Sequence, residues 1–197
     1  LLLCILAMGA QAQLKPRVVI LTDIGQPDLE PDDTASLVHL LCYADQLEIE
    51  GIITSTGWNC DPYPTKSAAY RDSVVEAYGA DVHNLMKRSD QMAFLSLEKE
   101  NGCQEMGYWP SVEYIRSRSV MGSQRAGIKV IGSGNDSEGS ELIIRLADEK
   151  DERPIWVCAW GGANTLAQAI WKVKQTRTPE QLKAFLHKLR LYTITDQ

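Results

Sequence analysis

The stretch Arg17-Val-Val-Ile20-Leu21-Thr22-Asp23-Ile24-Gly25-Gln-Pro27-Asp28-Leu-Glu30-Pro31-Asp32-Asp33 decides how this chain is read. An apolar run, predicted as a strand over 18–21, leads straight into acidic residues, one glycine and two prolines. A helical pattern follows at once in Thr34, Ala35, Leu37, Val38, Leu40 and Leu41. Carboxylates massed where a buried strand ends are costly unless something compensates their charge. The usual compensation is a hard cation held by oxygen ligands. In open α/β sheets ligands also bind beyond the carboxyl ends of the strands. Asp23, Asp28, Glu30, Asp32 and Asp33 therefore form the first candidate site. A capping role for Asp32 explains one of these carboxylates but not five within eleven residues. A continuous EF-hand loop is excluded, because its ligand spacing and closing Glu are absent. The remaining ligands are then expected from other strand ends.

The rest of the chain supports an α/β fold: a mostly parallel central sheet with helices on both faces. Strand patterns at 18–21, 49–54, 129–131, 155–159 and 189–194 alternate with helix patterns at 33–44, 65–78, 111–118, 140–149, 164–173 and 179–186. The first, second and fourth strands carry branched apolar residues without clean alternation, as in strands buried on both faces. The last helix has a complete entry signal, with Thr178 as N-cap, Pro179 at the first position and Gln181 at the third. Residues 80–127 have a broken pattern and read as short helices and loops, forming a lid over the site.

With 197 residues, 44% hydrophobic and 23% charged, the chain is long enough for one domain with a sizeable core. A net charge of −6 and the lack of a basic-aromatic stripe argue against nucleic acid as a partner. No segment is apolar and long enough for a bilayer span, so no membrane role is expected. Residues 1–12 read as a signal-peptide remnant, with a short apolar core and an Ala10-Gln11-Ala12 cleavage signal. Export to the periplasm or beyond follows as an expectation, with one α/β domain over 13–197 that is incomplete at its C-terminus. Of the cysteines after residue 12, Cys42 and Cys158 read as core residues. Cys60 and Cys103 lie in polar, loop-like sequence and are placed either to pair or to stay thiols. No C-x-x-C motif points to zinc.

Four stretches carry a family resemblance. Leu21-Thr22-Asp23-Ile24-Gly25 with Asp32-Asp33 resembles the acidic signature of nucleoside hydrolases. Its Glu30-Pro31-Asp32-Asp33 form is similar to a secreted branch, the nucleoside-hydrolase-like domain of cellulose-binding-type proteins. Glu50-Gly51-Ile52-Ile53-Thr54 with Gly57-Trp58-Asn59 resembles the second strand and substrate loop. Gly132-Ser-Gly134-Asn135-Asp136-Ser137-Glu138-Gly139-Ser140 is similar to that branch's D-S-E-G-S element. Trp156-Val-Cys158-Ala-Trp160-Gly161-Gly162-Ala-Asn164-Thr165-Leu166-Ala167 resembles the glycine-asparagine turn that follows a later strand.

The resemblance implies a calcium ion (Ca2+) at the pocket floor and hydrolysis of an N-ribosyl or related glycosidic bond. It gives Asp23 as calcium ligand and general base, Asp33 as a second ligand and the backbone carbonyl of Trp160 as a third. Asp32 and Asn59 are then sugar contacts, and Trp58, Asp136, Glu138 and Asn164 line the substrate pocket. Asp136 and Glu138 serve equally well as caps of the helix near Ser140. Trp58, Trp109 and Trp160 suit either a stacking platform for sugar rings or core packing. His39 reads as packed in a helix, and His83 and His187 as surface residues. The chain departs from the family pattern in two ways. The first acidic position is occupied by Leu21 or, one residue on, by the hydroxyl of Thr22, and residues 26–31 are inserted before Asp32. The last calcium-binding Asp and the leaving-group His of the family fall beyond Gln197, and Asp196 is an alternative acid or simply a polar end to its strand. A nucleoside, a sugar or a polysaccharide fragment is the expected small-molecule partner, in a monomer or a homo-oligomer. A carbohydrate-binding protein without turnover is the alternative, and hydrolysis of another glycan or an ester the third.

Overall fold

The computed structural model describes residues 13–25, 31–57, 66–89, 94–95 and 109–194. The signal-peptide remnant, the acidic residues Asp28 and Glu30, Trp58, Asn59, Cys60, Cys103 and Asp196 lie outside the described residues. In chain order the elements are β1 (Gln13–Leu14), β2 (Arg17–Thr22), α1 (Pro31–Cys42), β3 (Glu48–Thr54), α2 (Ser67–Arg88) and β4 (Phe94–Leu95). They continue as α3 (Val112–Ser117), β5 (Ser119–Met121), α4 (Glu138–Asp148), β6 (Ile155–Ala159), α5 (Asn164–Thr176), α6 (Pro179–Lys188) and β7 (Leu189–Thr193). The central sheet has the order β5-β3-β2-β6-β7, and every pairing in it is parallel. The short strands β1 and β4 form a separate parallel pair.

Strand β2 lies at the centre, and its side chains divide between two cores. Val19 and Leu21 pack with Ile53, with residues of α4, α5 and α6, and with Ile155, Val157 and Ala159 of β6. Val18 packs on the opposite face with Ile49 and Ile52 against α1, α2 and α3. Both strands are buried on every residue, as continuous apolar runs imply. Strand β6 differs from that expectation. Its residues alternate, with Ile155, Val157 and Ala159 buried and Trp156 43% exposed. The face bearing Trp156 is the one that α1 to α3 cover only over the β2–β3 half. Cys158 shares it and is half-buried rather than in the core.

Three other expectations are corrected by packing. The strand expected at 129–131 is a 3₁₀ turn, Ile128–Val130, bracketed by Gly127 and Gly132 with φ of 95° and 144°. The strand actually used is β5, which pairs with the outer side of β3. Helix α2 runs ten residues past Tyr78, to Arg88. It passes through Gly79, where an added Cβ would lie 2.8 Å from Val112 of α3. The glycine that breaks the helical pattern is thus where a second helix approaches closely. Helix α1 buries Asp33, Leu37 and Leu41, a spacing of one turn each. His39 and Cys42 fall off that stripe and are exposed, so neither is a core residue. No helix among the described residues is long and apolar enough to cross a membrane.

Candidate functional site

The parallel topology brings the ends of β2, β3, β5 and β6 together at one edge of the sheet. Asp23 follows the last residue of β2 and is 3% exposed. Asp33 arrives from the first turn of α1 and is 5% exposed. Between them stands Thr22, whose hydroxyl donates to Asp33 Oδ2 at 2.5 Å and accepts from the Ile24 N–H at 3.1 Å. The hydroxyl therefore occupies the neighbourhood in which the acidic signature lacks its first carboxylate.

The electrostatics follow from this crowding. Burial pushes the Asp33 carboxyl up to about 7, against the hydrogen bond from Thr22 and with the help of the neighbouring Asp23 and Asp32 carboxylates. Two adjacent buried carboxylates favour either a shared proton or a cation. Asp32 is exposed at the start of α1, close enough to act on Asp33 through its charge.

Strand β6 closes the floor. The N–H groups of Trp160 and Gly161 both donate to the Leu21 carbonyl, at 2.9 and 3.3 Å. Gly161 then lies directly on the Asp23 carboxylate: an added Cβ would meet Oδ1 at 2.0 Å and Cγ at 2.2 Å. Gly162, at φ 73°, lies close on Ser55, where an added Cβ would stand 2.7 Å from its atoms. The two glycines allow the β6 turn to touch the ends of β2 and β3 at once. Trp160 keeps its ring half-buried against the α1–α3 core.

Beyond Ser55 the edge is knitted by hydroxyls. Ser55 Oγ donates to the Gly162 carbonyl at 2.7 Å and lies 2.6 Å from Thr165 Oγ1. Thr165 Oγ1 in turn accepts from the Ser123 N–H at 2.8 Å, after β5. Arg71 of α2, 5% exposed, donates to Thr54 Oγ1 and to the Val120 carbonyl, each at 2.9 Å. It ties the last residue of β3 to β5.

The Gly132–Ser140 element adjoins this edge. Ser137 caps α4 in a reciprocal pair with Ser140, so the capping role considered for Asp136 and Glu138 belongs to Ser137. Asp136 accepts from Gln168 at 2.7 Å and Lys172 at 2.8 Å. Those two contacts hold its carboxyl below the usual carboxylate range. Glu138 is exposed in the first turn of α4. Both border a cleft of about 280 Å3. The Asn164 amide pairs with the Gly127 backbone, accepting from its N–H at 3.2 Å and donating to its carbonyl at 2.9 Å. Trp109, 5% exposed, is part of the α1–α3 core rather than a stacking surface.

The structure thus brings Asp23, Asp33 and the Trp160–Gly161 peptide together, with Asp32 at the rim. It places Asp136 and Glu138 one compartment away. Ser55, Arg71 and Gln168 were not singled out by sequence as site builders. The signal for Gln168 was available, since it lies one helical turn beyond Asn164 on the same face. That for Arg71 was not, because its partners are distant in sequence.

Among the described residues no three His, Cys, Asp or Glu side chains converge closely enough to hold a metal ion by themselves. The donor set nevertheless fits a hard cation in part. It comprises two facing carboxylates, one of them driven toward neutrality by burial and by its acidic neighbours, with the Thr22 hydroxyl beside them. Such a cation would be held by Asp23 and Asp33, with backbone oxygens, water and sugar hydroxyls completing the shell.

Comparisons with known proteins agree with this architecture. The family described as cellulose-binding Sde182, nucleoside hydrolase-like domain, matches residues 17–197. Among solved structures, the chain is similar to a nucleoside hydrolase-related hypothetical protein from Saccharophagus degradans that is associated with carbohydrate metabolism. The two are 42% identical, with a TM-score of 0.77, over 93% of this chain and 39% of that one. The chain therefore spans about two-fifths of the length of that relative. No curated protein matches it. The match begins at the first residue of β2 and takes in every strand and helix of the central sheet, and the chain belongs to the cellulose-binding Sde182 nucleoside hydrolase-like family.

Proposed function

We propose that this exported domain is a calcium-dependent hydrolase of N-ribosyl or related glycosidic bonds. The observation that carries the reading is the buried Asp23–Asp33 pair at the end of β2, with Asp33 pushed up to about 7. Glycoside cleavage develops positive charge on the sugar, which a carboxylate-lined floor stabilises. Calcium, when bound, supplies a more acidic water and an anchor for sugar hydroxyls. Asp23 takes the proton from the attacking water as its oxygen bonds to the anomeric carbon. The glycosidic bond breaks with its electron pair leaving on the departing group, which takes up a proton. No described residue is assigned to deliver that proton. Asp33 holds the charge balance beside Asp23, and Asp32 contacts sugar hydroxyls; the family resemblance gives Asn59 and Trp58, outside the described residues, as further sugar contacts. Asn164 acts through the Gly127 loop that it fastens.

A second reading is favoured by the family's description as cellulose-binding and by the relative's association with carbohydrate metabolism. In it the same pocket holds a sugar without turnover. One experiment separates the two. Nucleosides and cello-oligosaccharides are incubated with calcium and either the wild type or Asp23→Asn, and released reducing sugar and ligand affinity are both measured. Hydrolysis in the wild type that falls at least about a hundredfold in a folded Asp23→Asn supports the enzyme. Saturable binding without release of sugar by the wild type supports the binding module.

A further inference from the structure

Helix α5 presents Asn164, Gln168 and Lys172 one turn apart, and together they fasten the same loop at residues 127, 132 and 136. Asn164 pairs with both polar groups of the Gly127 backbone. Gln168, 1% exposed, accepts from the Gly132 N–H at 2.8 Å and donates to the Gly132 carbonyl at 3.0 Å and to Asp136 at 2.7 Å. Lys172 binds Asp136 and Glu141. Two of the three clamps hold backbone, and the loop they hold has its glycines in positive-φ conformations at 127, 132 and 134. At each of those glycines the side where a Cβ would stand is open space. A loop fastened at three points by one helix face is built to keep a shape.

That shape bounds the cleft of about 280 Å3 whose walls include Ser123, Gln124, Arg125, Asn135 and Glu138. The cleft lies at the same end of the sheet as the carboxylate pair, separated from it by a run of contacts already described: Asp23 to Gly161, Gly162 to Ser55, Ser55 to Thr165, and Thr165 to Ser123. Among the described residues its lining is hydroxyl, amide, guanidinium and carboxylate, with Met121 and Val130 as the apolar members and no aromatic ring. A flat nucleobase is held best by aromatic or apolar faces. A sugar ring, which carries donors and acceptors around its rim, is matched by such a lining.

We infer that the cleft between the β5 exit and the clamped 127–136 loop is a second sugar subsite, so that the preferred ligand is an oligosaccharide rather than a nucleoside. This rests on the proposed function, since it extends the ligand from the carboxylate pocket. Preorganisation by α5 lowers the ordering cost of binding the second ring.

The test is calorimetric titration of glucose, cellobiose, cellotriose and adenosine, in calcium, into wild type, Arg125→Ala and Gln168→Ala, with circular dichroism and calcium binding as controls for folding. The expected result is at least a tenfold gain in affinity from glucose to cellotriose. Arg125→Ala and Gln168→Ala each cut the cellotriose-to-glucose ratio severalfold while calcium binding stays saturable. Equal affinity for all chain lengths, a preference for adenosine, or a length gain untouched by both variants overturns the subsite. Those three results leave the proposed function standing if calcium binds and depends on Asp23. Loss of all sugar and nucleoside binding by the wild type overturns the subsite and the proposed function together.

Discussion

Burial and the facing carboxylates hold Asp33 up at about 7, so without a cation the folded protein keeps a proton there that the unfolded chain releases near the ordinary aspartate range. Because the folded-state value is raised, the native state binds the extra proton between about pH 4 and about pH 7, and stability falls as pH rises through that window. Below it both states are protonated, and above it the penalty is constant. In chelator, the urea midpoint of the wild type is expected to drop across this window more than that of Asp33→Asn, and calcium should remove the difference in slope. Parallel slopes for the two proteins in chelator would show that Asp33 is not the titrating group. A second consequence lies at Gly161. Because a methyl there would overlap the Asp23 carboxylate, Gly161→Ala should lower calcium affinity at least about tenfold, roughly 1.4 kcal/mol, while far-ultraviolet circular dichroism stays native. Unchanged affinity would mean that Asp23 can move aside without loss.

At the scale of elements, the opposite edge of the sheet is held by charge. Arg17, at the start of β2, is fully buried and donates to Glu50 at 2.6 Å, to Glu149 at 2.7 Å and to the Leu146 carbonyl at 3.3 Å. Glu50 reaches it because β2 and β3 shift register between Val18 and Val19, which leaves Glu50 as the extra residue of a bulge. Arg153 adds ion pairs to Glu48 and Asp151. Removing one partner of a buried pair strands the other, so Glu50→Ala is expected to cost on the order of 3–5 kcal/mol in urea unfolding. A cost below about 1 kcal/mol would mean that water or the remaining acids replace it.

The same elements show what a sequence exposes and what it hides. Helix α6 was readable in full, because its signals are local: Thr178 and Gln181 cap it reciprocally and Pro179 opens it. Strand β5 was not readable, since Ser119–Met121 is short and partly exposed and is a strand only by pairing with β3. Residues 129–131 imitated a strand through the β-branched pair Val130-Ile131, but the positive-φ glycines around them turn the chain. The acidic floor was legible because carboxylates after an apolar strand have few explanations. The clamp from α5 was not, because Asn164, Gln168 and Lys172 reveal their role only when the loop they bind is in place.

At the scale of the molecule, the parallel order β5-β3-β2-β6-β7 sets a division of labour. One sheet edge carries buried ion pairs and stability. The other gathers Asp23, Asp33, the Trp160–Gly161 turn and the clamped cleft, where ligands of open α/β sheets bind. The claim on which the functional account depends is that this edge holds a cation. Calorimetric titration of calcium into the wild type, beside the Asp23→Asn/Asp33→Asn double variant, tests it most directly. Saturable one-to-one binding by the wild type, accompanied by proton release near neutral pH and lost in the double variant, is the predicted result. A folded wild type that binds no calcium, or a double variant that binds it equally well, would contradict the account.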